Sequence, residues 1–423
     1  MLTDKLKTQA SCADDFDTEA ITVSEARQRI LARITPVIDI EKQTLHQSLN
    51  RVLAQDIISS LNVPGHTNSA MDGYALAGDD LPQSGPCQYS VAGTAFAGKP
   101  FKALCPAGQC VRIMTGAVMP DGTDTVVMQE HVEHISDTQI RISTGHKQGQ
   151  NVRQAGEDIA KDSIVLTNGH CIHAADLGVM ASIGIGEIEV YRKPRIAFFS
   201  TGDELRPVGD PLGTGDIYDS NRYSLHGMLS QLNVEIIDLG IVKDNPEDLR
   251  QAFKNASSNA DLVITTGGVS VGEADYVKQI VETMGEIHIW KIAMKPGRPI
   301  TFGRLGNSAY FGLPGNPVSV MTTFYQFVVP AIQRVSGRAD CHPLTIKVTS
   351  TSELKKRAGR FEYQRGILSL NDAGQLTVCA TGKQGSGILT SMSRANCLIL
   401  LDENCAGVKA GDSVAVQPLN LCL

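Results

Sequence analysis

The chain has 423 residues and a formal net charge of −7, with 42% hydrophobic, 20% charged and 5% aromatic residues. This length predicts two or more domains. The acidic balance and the single tryptophan disfavour a protein that coats nucleic acid. No apolar run approaches the roughly 20 residues that span a bilayer, and ten scattered cysteines fit a reducing compartment. We therefore expect a cytoplasmic multidomain protein without nucleic-acid or membrane partners.

The N-terminal part of the chain predicts a polar leader followed by helices. Residues 1–18 are polar and show no periodicity, which is typical of a disordered segment. Thr22 and Glu25 then have capping-box spacing, and apolar residues recur at helical steps as far as Ile34. A second helical stretch is predicted over residues 45–57.

From about residue 61 to 152 the sequence pattern changes to short β-type runs divided by glycine and proline. Runs such as CQYSVAG and TQIRIS, separated by turn clusters such as MPDGTD, are typical of a small barrel or sandwich. Helical texture returns in HAADLGVMASIG. The simplest interpretation is a domain that is interrupted by an all-β insertion.

Between about residues 193 and 337, buried β-type runs alternate with helical ones. PRIAFFSTG and DLVITTGG are typical of strands, whereas PEDLRQAFKNASSN is typical of a helix. The alternation predicts a doubly wound, mostly parallel sheet, in which ligands bind at the carboxyl ends of the strands. After residue 338, short alternating runs return and predict a small C-terminal β domain.

Two glycine-rich loops of the predicted α/β domain join a strand to a helix. In TTGGVSVGEADY, residues 265–276, backbone amides could approach a phosphate near a helix N-terminus, or the loop could be a simple connection. GLPGNPVS, residues 312–319, is stiffened by two prolines and two glycines, which indicates either a shaped pocket or a capped helix start.

Charged residues of both signs accompany these loops. Lys291, Lys295 and Arg298 lie within eight residues, a spacing suited to an oxyanion or to a solvated basic turn. Acidic side chains follow the strands or open the helices, at Asp203, Glu204, Asp244 and Asp275. Each acid alone is explained by a cap or a turn, but together they could hold Mg²⁺ that bridges ligand phosphates. Asp219 and Asn221 are interpreted as capping residues.

The motifs, in this order, resemble the molybdopterin molybdenumtransferase family (MoeA and the corresponding half of gephyrin). The resemblance extends from about residue 20 to the end of the chain. The motifs that carry it are NSAMDGYA, RIMTGAVMP, VVMQE, NVRQAGEDI, FSTGDEL, YDSNR, TTGGVSVGEADY, KIAMKPGRP, GLPGNPVS and FEYQRG.

The resemblance implies a multidomain α/β plus β fold. It has a doubly wound molybdopterin-binding α/β domain, a segmented helical domain with an inserted β domain, and a small C-terminal β-barrel. The implied boundaries are 1–18 for the leader, 19–60 with 153–192 for the helical domain, 61–152 for the inserted β domain, 193–337 for the α/β domain and 338–423 for the barrel.

The resemblance also implies a reaction and an assembly. Molybdenum from molybdate enters adenylylated molybdopterin, with Mg²⁺ as cofactor, and AMP leaves. The expected assembly is a homodimer whose cleft combines the α/β domain of one subunit with the inserted domain of the other. Contact with the molybdopterin adenylyltransferase is a further expectation.

Each expected site residue follows from the resemblance, motif by motif. Molybdate, a dianion, would bind Lys295, Arg298, Pro299, Arg365 and Ser386. The adenylylated pterin would bind Gly267, Gly268, Ser270, Gly272, Lys291, Pro314 and Asn316. The catalytic residues would be Asp72, Thr115, Arg153, Asp158, Glu204, Asp244 and Asp275. Asp244 and Asp275, with Glu204 or Asp203, would organise Mg²⁺.

The chain departs from the family pattern at two places. Arg298 replaces the lysine of many relatives, which keeps the charge but presents a planar fork of donors. Gln154 and Ala155 stand where relatives often continue a run of arginines after Arg153. These differences concern the shape of the anion pocket and the charge of the cleft.

Three other functions compete with this interpretation. A sister class adenylylates molybdopterin with a lone α/β domain, and a nucleotide hydrolase carries a related domain, but both lack NSAMDGYA and a C-terminal β domain. A non-catalytic scaffold is a different kind of alternative, because gephyrin also clusters receptors through this module. A scaffold would not need the acidic residues, and all of them are present here.

Overall fold

A computed structural model describes residues 20–267 and 276–419. Contacts between residues divide the chain into two units. The larger unit comprises the chain up to Glu41, residues Asn50–Val52 and the chain from Tyr191 onward. The smaller unit comprises Lys42–Leu49 and Leu53–Val190. The four predicted domain boundaries stay predictions.

Helix α1 (Val23–Leu31) confirms the first helix predicted from the sequence. The Thr22 hydroxyl accepts a hydrogen bond from the amide of Glu25 at 3.1 Å, which satisfies one of the free donors of the first turn. Ala26 and Ile30 are fully buried in the core of the larger unit, together with residues of the α/β sheet. The structure therefore packs this helix with the α/β core, whereas the sequence grouped it with the segmented helical domain.

The chain up to residue 191 forms one further helix and many short strands. They are β1 (Ile40–Thr44), β2 (Ile57–Ile58), β3 (Asn68–Ser69), β4 (Gly73–Leu76), β5 (Cys87–Ala95), β6 (Gln109–Ile113), β7 (Thr125–Met128), β8 (Val132–Ser136), β9 (Gln139–Ile142), β10 (Val152–Arg153), β11 (Ile164–Leu166), α2 (Ala174–Ser182) and β12 (Glu187–Tyr191). Six of the strands form one sheet in the order β7-β4-β6-β5-β9-β8. The short strands predicted between residues 61 and 152, and the helix in HAADLGVMASIG, are confirmed.

The helix predicted over residues 45–57 is wrong. Leu45–Gln47 form a single 3₁₀ turn, and β2 at the end of this stretch pairs with β11. Asn50 has a φ of 62°, a left-handed conformation that a helix does not accommodate. Further along, the amide of Leu53 donates to the carbonyl of His170, so it makes no helical bond.

The larger unit contains the predicted α/β sheet. Its elements are β13 (Arg195–Thr201), β14 (Leu205–Arg206), β15 (Ile217–Tyr218), α3 (Ser220–Ser230), β16 (Glu235–Val242), α4 (Pro246–Asn259), β17 (Leu262–Thr266), α5 (Tyr276–Met284), β18 (Gly285–Lys291), β19 (Met294–Lys295), β20 (Pro299–Leu305), β21 (Ser308–Leu313), α6 (Pro317–Thr323) and α7 (Val329–Val335). Strands lie in the order β16-β13-β17-β21-β20-β18. The first three pairings are parallel and the last two antiparallel.

Helices cover both faces of this sheet, as the sequence predicts. Phe198 and Phe199 are neighbours on β13 and point to opposite faces because side chains alternate along a strand. Phe198 packs in a core with α1, α3 and α6, whereas the ring of Phe199 meets that of Phe253 on α4 at 5.1 Å. Both side chains are fully buried.

The apolar run that follows β21 forms one continuous helical stretch. Between α6 and α7, residues Phe324–Val328 adopt the wider π geometry. Such widened turns inside helices often occur at functional sites. Among the described residues, no helix is both long and apolar enough to cross a membrane.

The C-terminal strands close into the small β-barrel that the sequence predicts. The elements are β22 (Ile346–Ser350), β23 (Phe361–Leu370), β24 (Leu376–Ala380), α8 (Leu389–Arg394), β25 (Cys397–Leu401) and β26 (Ser413–Pro418). The barrel runs β23-β24-β22-β26-β25 and closes because β25 also pairs with β23. The short strand β19 of the KIAMKPGRP motif adds to β23 in parallel.

Candidate active site

Four parallel strands of the larger unit end at one edge of the sheet, which we call the carboxyl edge. The last residues of β13, β16, β17 and β21 are Thr201, Val242, Thr266 and Leu313. Because parallel strands share a direction, the loops that follow them emerge together. Most of the residues predicted for the pterin and for Mg²⁺ lie on these loops.

Gly267 is required at the carboxyl edge by its backbone geometry. Its φ is 85°, and a Cβ at this position would lie 2.1 Å from the carbonyl oxygen of Thr201. Only glycine allows β17 to end so close to β13. Gly268, Ser270, Gly272 and Asp275 of the same motif lie outside the described residues, so their roles stay predictions.

Three of the predicted acids influence one another at this edge. Asp203 and Glu204 are exposed and follow β13, whereas Asp244 is half-buried after β16. Burial raises the pKa of Asp244 above its usual value, and the charges of Asp203 and Glu204 raise it further. The edge therefore concentrates negative charge, which a bound cation would relieve.

The acids fit Mg²⁺ only in part. Among the described residues, no group of three acidic, histidine or cysteine side chains is arranged to hold a metal. Mg²⁺, however, usually takes one or two protein carboxylates together with ligand phosphates and water. Asp244 with Glu204 or Asp203 can supply that number, and Asp275 lies outside the described part of the chain.

Three buried oxygen atoms near the carboxyl edge have no hydrogen-bond partner among the residues that the structure describes. They are Thr201 Oγ1, Asp219 Oδ2 and Asn221 Oδ1. Buried polar atoms are almost always satisfied in folded proteins, so an ordered water or a ligand is expected here. The sequence did not single out Thr201, whose signal is its place as the last residue of a buried strand before a glycine.

The structure confirms one of the two predicted capping residues. Asp219 precedes α3, and its Oδ1 accepts a hydrogen bond from the amide of Arg222 at 3.0 Å. Asn221 instead donates through Nδ2 to the carbonyl of Gly315 at 2.8 Å. The start of α3 is thereby tied to the loop GLPGNPVS.

That loop presents the predicted residues at different depths. Pro314 is buried, and Asn316 is exposed at the position before the first turn of α6. The Asn316 side chain makes no capping hydrogen bond to the helix. Pro317 at the first helical position needs no amide partner.

The basic motif KIAMKPGRP folds into a turn against α6. Gly297 has a φ of 96°, and a Cβ there would lie 2.6 Å from the Thr323 side chain. Lys295 is exposed and its Nζ lies 3.4 Å from a carboxylate oxygen of Glu362 on β23. Arg298 and Pro299 follow in the same turn, whereas Lys291 lies exposed at the end of β18.

Arg365 on β23 is a buried cation held by neutral oxygen atoms. Its side chain is 1% exposed. Nε donates to Ser391 Oγ at 3.0 Å, and Nη2 donates to the carbonyl of Gly385 at 3.2 Å. In the described part of the chain, no carboxylate lies within ion-pair distance of it. Burial lowers the pKa of Arg365 to about 10.

The loop that receives Arg365 also contacts α6. The carbonyl of Ser386 accepts a hydrogen bond from the amide of Val318 at 3.1 Å. The barrel residues predicted for the oxyanion therefore meet the helix that begins at GLPGNPVS. Ser391 and Gln384, whose side chain accepts from the amide of Arg365, are supporting residues that the sequence did not reveal.

The smaller unit assembles its own polar group around NSAMDGYA. One oxygen of Asp72 accepts hydrogen bonds from both the amide and the hydroxyl of Thr115 at 2.7 Å, and these bonds lower the pKa of Asp72. Arg153 is exposed on β10, opposite Asn68 on β3. Asp158 is exposed, and its amide donates to the carbonyl of Val63.

Family profiles match most of the chain. Residues 21–184 match the MoeA N-terminal region (domain I and II), residues 197–334 a probable molybdopterin binding domain, and residues 347–419 the MoeA C-terminal region (domain IV).

Individual relatives agree with these profiles. A molybdopterin molybdenumtransferase of Haemophilus influenzae is 45% identical over 95% of this chain and 99% of its own length. A gephyrin of Dictyostelium discoideum is 32% identical over 90% of this chain and 60% of its own length. The crystal structure of a molybdopterin biosynthesis moeA protein from Pyrococcus horikoshii OT3 superposes with a TM-score of 0.81 at 27% identity, over 95% of this chain and 100% of that one. The chain therefore belongs to the molybdopterin molybdenumtransferase family, a family of transferases in molybdenum cofactor biosynthesis.

Proposed function

We propose that this protein inserts molybdenum from molybdate into adenylylated molybdopterin and releases AMP. One observation carries the proposal: in the larger unit, Arg365 on strand β23 is buried and donates to a loop that is hydrogen-bonded to the helix following a candidate nucleotide loop. A cationic site beside a nucleotide site suits a reaction between an oxyanion and an adenylylated substrate. The names of the relatives indicate molybdopterin and molybdenum, and the motif resemblance supplies the adenylylated pterin and molybdate as the forms of the two substrates.

The carboxyl edge would bind the adenylylated pterin. Gly267 brings backbone close to the end of β13, and the buried oxygens of Thr201 and Asn221 have no partner among the described residues, so a polar ligand could supply one. Asp244 with Glu204 or Asp203 would hold Mg²⁺, together with Asp275. When bound, Mg²⁺ would neutralise charge on the phosphoanhydride and polarise it.

The cationic residues of the larger unit would bind molybdate, at a site that we call the anion pocket. An oxyanion with two negative charges is attracted by guanidinium and ammonium donors and is repelled by carboxylates. Arg365 offers a fixed planar donor set, while Lys295, Arg298, Pro299 and Ser386 would complete the pocket. Replacement of the family's lysine by Arg298 would change the shape of this pocket and keep its charge.

The residues of the smaller unit would act in a homodimer. Asp72, Thr115, Arg153 and Asp158 would face the carboxyl edge of the partner subunit, in a cytoplasmic enzyme that also contacts the molybdopterin adenylyltransferase. Support comes from the Asp72–Thr115 pair, which fixes a charged carboxylate at the protein surface.

The test is AMP release by the purified protein. With adenylylated molybdopterin, molybdate and Mg²⁺ present, we expect AMP release that depends on molybdate, with molybdenum retained on the pterin. The sister activity would instead form the adenylylated pterin from molybdopterin and ATP. Absence of molybdate-dependent AMP release, in a dimeric and folded preparation, would contradict the proposal.

A further inference from the structure

The backbone carbonyl of Gln326 lies in an irregular part of the long helix. Gln326 belongs to the π segment, and Pro330 just beyond that segment has no amide hydrogen to donate to the helix. Arg27 on α1 donates through Nε to this carbonyl at 3.2 Å. The backbone carbonyl of Gln326 is thus satisfied by a side chain from another helix.

The Gln326 side chain joins three further groups in the core. It is 1% exposed. Its Oε1 accepts hydrogen bonds from Arg27 Nη2 at 2.8 Å and from the Tyr363 hydroxyl at 3.1 Å. Its Nε2 donates to Gln417 Oε1 at 2.7 Å. One amide therefore links α1, the π segment and barrel strands β23 and β26.

This arrangement keeps a partly buried charge without an acidic partner. In the described part of the chain, no carboxylate pairs with Arg27, and burial lowers its pKa. An apolar contact would pack the same surfaces without desolvating a guanidinium, so stability alone does not explain it. Buried polar groups instead specify one relative position of the elements they join.

The element whose position is specified carries the proposed molybdate ligand. Tyr363 and Arg365 are two residues apart on β23, so their side chains lie on the same face of the strand. The guanidinium of Arg365 reaches the loop at Gly385, and the neighbouring Ser386 bonds to Val318 on α6. Strand β23 is therefore linked to one continuous helical stretch at two places, through Tyr363 and Gln326 and through Arg365 and the loop at residues 385–386.

We propose that Gln326, with Arg27 and Tyr363, is a positioning residue that sets strand β23, and thereby Arg365, relative to helix α6. Gln326 would keep the anion pocket at a fixed position relative to the carboxyl edge without contacting either ligand. The inference rests on the proposed function for the role of Arg365, but the mechanical link can be tested without it.

The test compares two tyrosine-to-phenylalanine changes. Tyr363→Phe removes the hydroxyl that donates to Gln326 and retains the ring. Tyr325→Phe is the matched control, because Tyr325 precedes Gln326 in the helix and its hydroxyl is not part of the network. Amide hydrogen exchange is measured for Arg365, which donates to Gln384, and for Val318, which donates to Ser386. Molybdate binding is measured by calorimetry with the ion itself.

We expect Tyr363→Phe to accelerate exchange at both amides and to weaken molybdate binding about 3- to 10-fold, the range for loss of one neutral hydrogen bond. Adenylylated pterin binding should stay unchanged, and Tyr325→Phe should behave as the wild type. Unchanged exchange at Arg365 and Val318 would overturn the positioning role. The positioning role would also be overturned if the variant has a lower melting temperature but binds molybdate with the affinity of the wild type, within error. A wild-type protein that binds no molybdate would refute the proposed function. The exchange data would still show whether Tyr363 and Gln326 fix strand β23 relative to the helix.

Two changes at Gln326 make the test independent of one variant. Gln326→Glu retains both acceptor bonds and loses the donor to Gln417, so molybdate affinity should fall less than in Gln326→Leu, which loses every side-chain bond. If Gln326→Leu does not fold, the glutamate variant and the tyrosine pair remain. Equal molybdate affinity in folded glutamate and leucine variants would count against the proposal.

Discussion

The carboxyl edge and the anion pocket of the larger unit are charged in opposite ways and built in opposite ways. At the carboxyl edge, Asp203, Glu204 and Asp244 lie on loops where water reaches them, and their mutual repulsion helps to raise the pKa of Asp244. In the anion pocket, Arg365 is buried on a barrel strand among neutral acceptors, and burial lowers its pKa to about 10. Among the described residues, neither Asp244 nor Arg365 has an ion-pair partner, whereas Lys295 of the predicted anion pocket lies 3.4 Å from a carboxylate oxygen of Glu362.

This difference shows two ways to prepare a site for a charged ligand. Loops after parallel strands bring like charges together with little desolvation, so a cation can enter and leave. A buried position on a barrel strand fixes one cation tightly and excludes water, which favours a small oxyanion. Both arrangements cost stability in the free protein, as functional sites often do. Four changes would break or sharpen the comparison.

The largest effect is expected at the acidic edge. Asp244→Asn should lower AMP release about 100-fold or more, a loss typical of removing charge stabilisation from a transition state, while the fold is retained. Turnover is measured at saturating Mg²⁺. Glu247→Gln, an exposed acid at the start of α4, is the control and should retain full turnover. Near-normal activity of Asp244→Asn would remove this acid from the mechanism.

The next effect concerns the anion pocket. Arg365→Ala should raise the molybdate concentration for half-maximal rate about 10- to 150-fold, because a charged donor is worth about 1.5–3 kcal/mol. Binding of the adenylylated pterin should change little. Arg394→Ala removes an exposed arginine of the same barrel and serves as control. An unchanged molybdate dependence would exclude Arg365, and the barrel with it, from the site.

A smaller effect should appear in stability at the carboxyl edge. Gly267→Ala should lower the free energy of unfolding by about 1–3 kcal/mol, because alanine is strained at a φ of 85° and its Cβ would meet the carbonyl of Thr201. Gly315→Ala, where a Cβ meets nothing within 4 Å, should be nearly neutral. Thermal and denaturant unfolding measure both. Equal stability of the two variants would show that β17 ends differently.

The smallest effect is a dependence of stability on pH. The folded state raises the pKa of Asp244 above the unfolded value of about 3.9, so ionisation of Asp244 costs stability as pH rises through this range. Asp244→Asn should therefore raise the melting temperature at pH 7. The corresponding gain in the free energy of unfolding should be less than about 1 kcal/mol after screening by water, and it should vanish below pH 4.

At Asp72, the same measurement should show a change in melting temperature of the opposite sign. Hydrogen bonds from Thr115 lower its pKa, so its stabilising contribution is present above the unfolded value and is lost as pH falls through the lowered one. Asp72→Asn should therefore lower the melting temperature at pH 7, and the difference should close in acid. The same sign in both variants would contradict the electrostatic interpretation.

Much of the fold was predictable because local patterns agreed with tertiary packing. The strands in PRIAFFSTG and DLVITTGG are buried on both faces and have the apolar centres IAFF and LVI, so their identity did not depend on neighbours. Helix prediction failed over residues 45–57, where apolar spacing suggested a helix but Asn50 adopts a left-handed conformation. Amides such as that of Leu53 bond to distant strands, which no local pattern reveals.

The sequence indicated where predicted site residues lie when their place depends on local order, but it did not indicate the contacts that depend on packing; the roles of these residues stay predictions. The sequence placed Asp203, Glu204 and Asp244 after strands, and the direction of parallel strands brought them to one edge. It identified Arg365 from a motif, but not its burial or its bonds to Ser391 and Gly385. Asn221 was interpreted as a cap and instead holds the GLPGNPVS loop.

The sequence by itself determined which elements form, which loops carry charge and which family the chain resembles, because these depend on residue type and on spacing along the chain. Tertiary structure alone decided that Gln326 would join α1, the long helix and the barrel, over separations of up to 299 residues. It also decided that Arg365 would lie buried without an acid. Hydrogen-bond partners and burial depend on which distant surfaces meet, and no local pattern encodes that meeting.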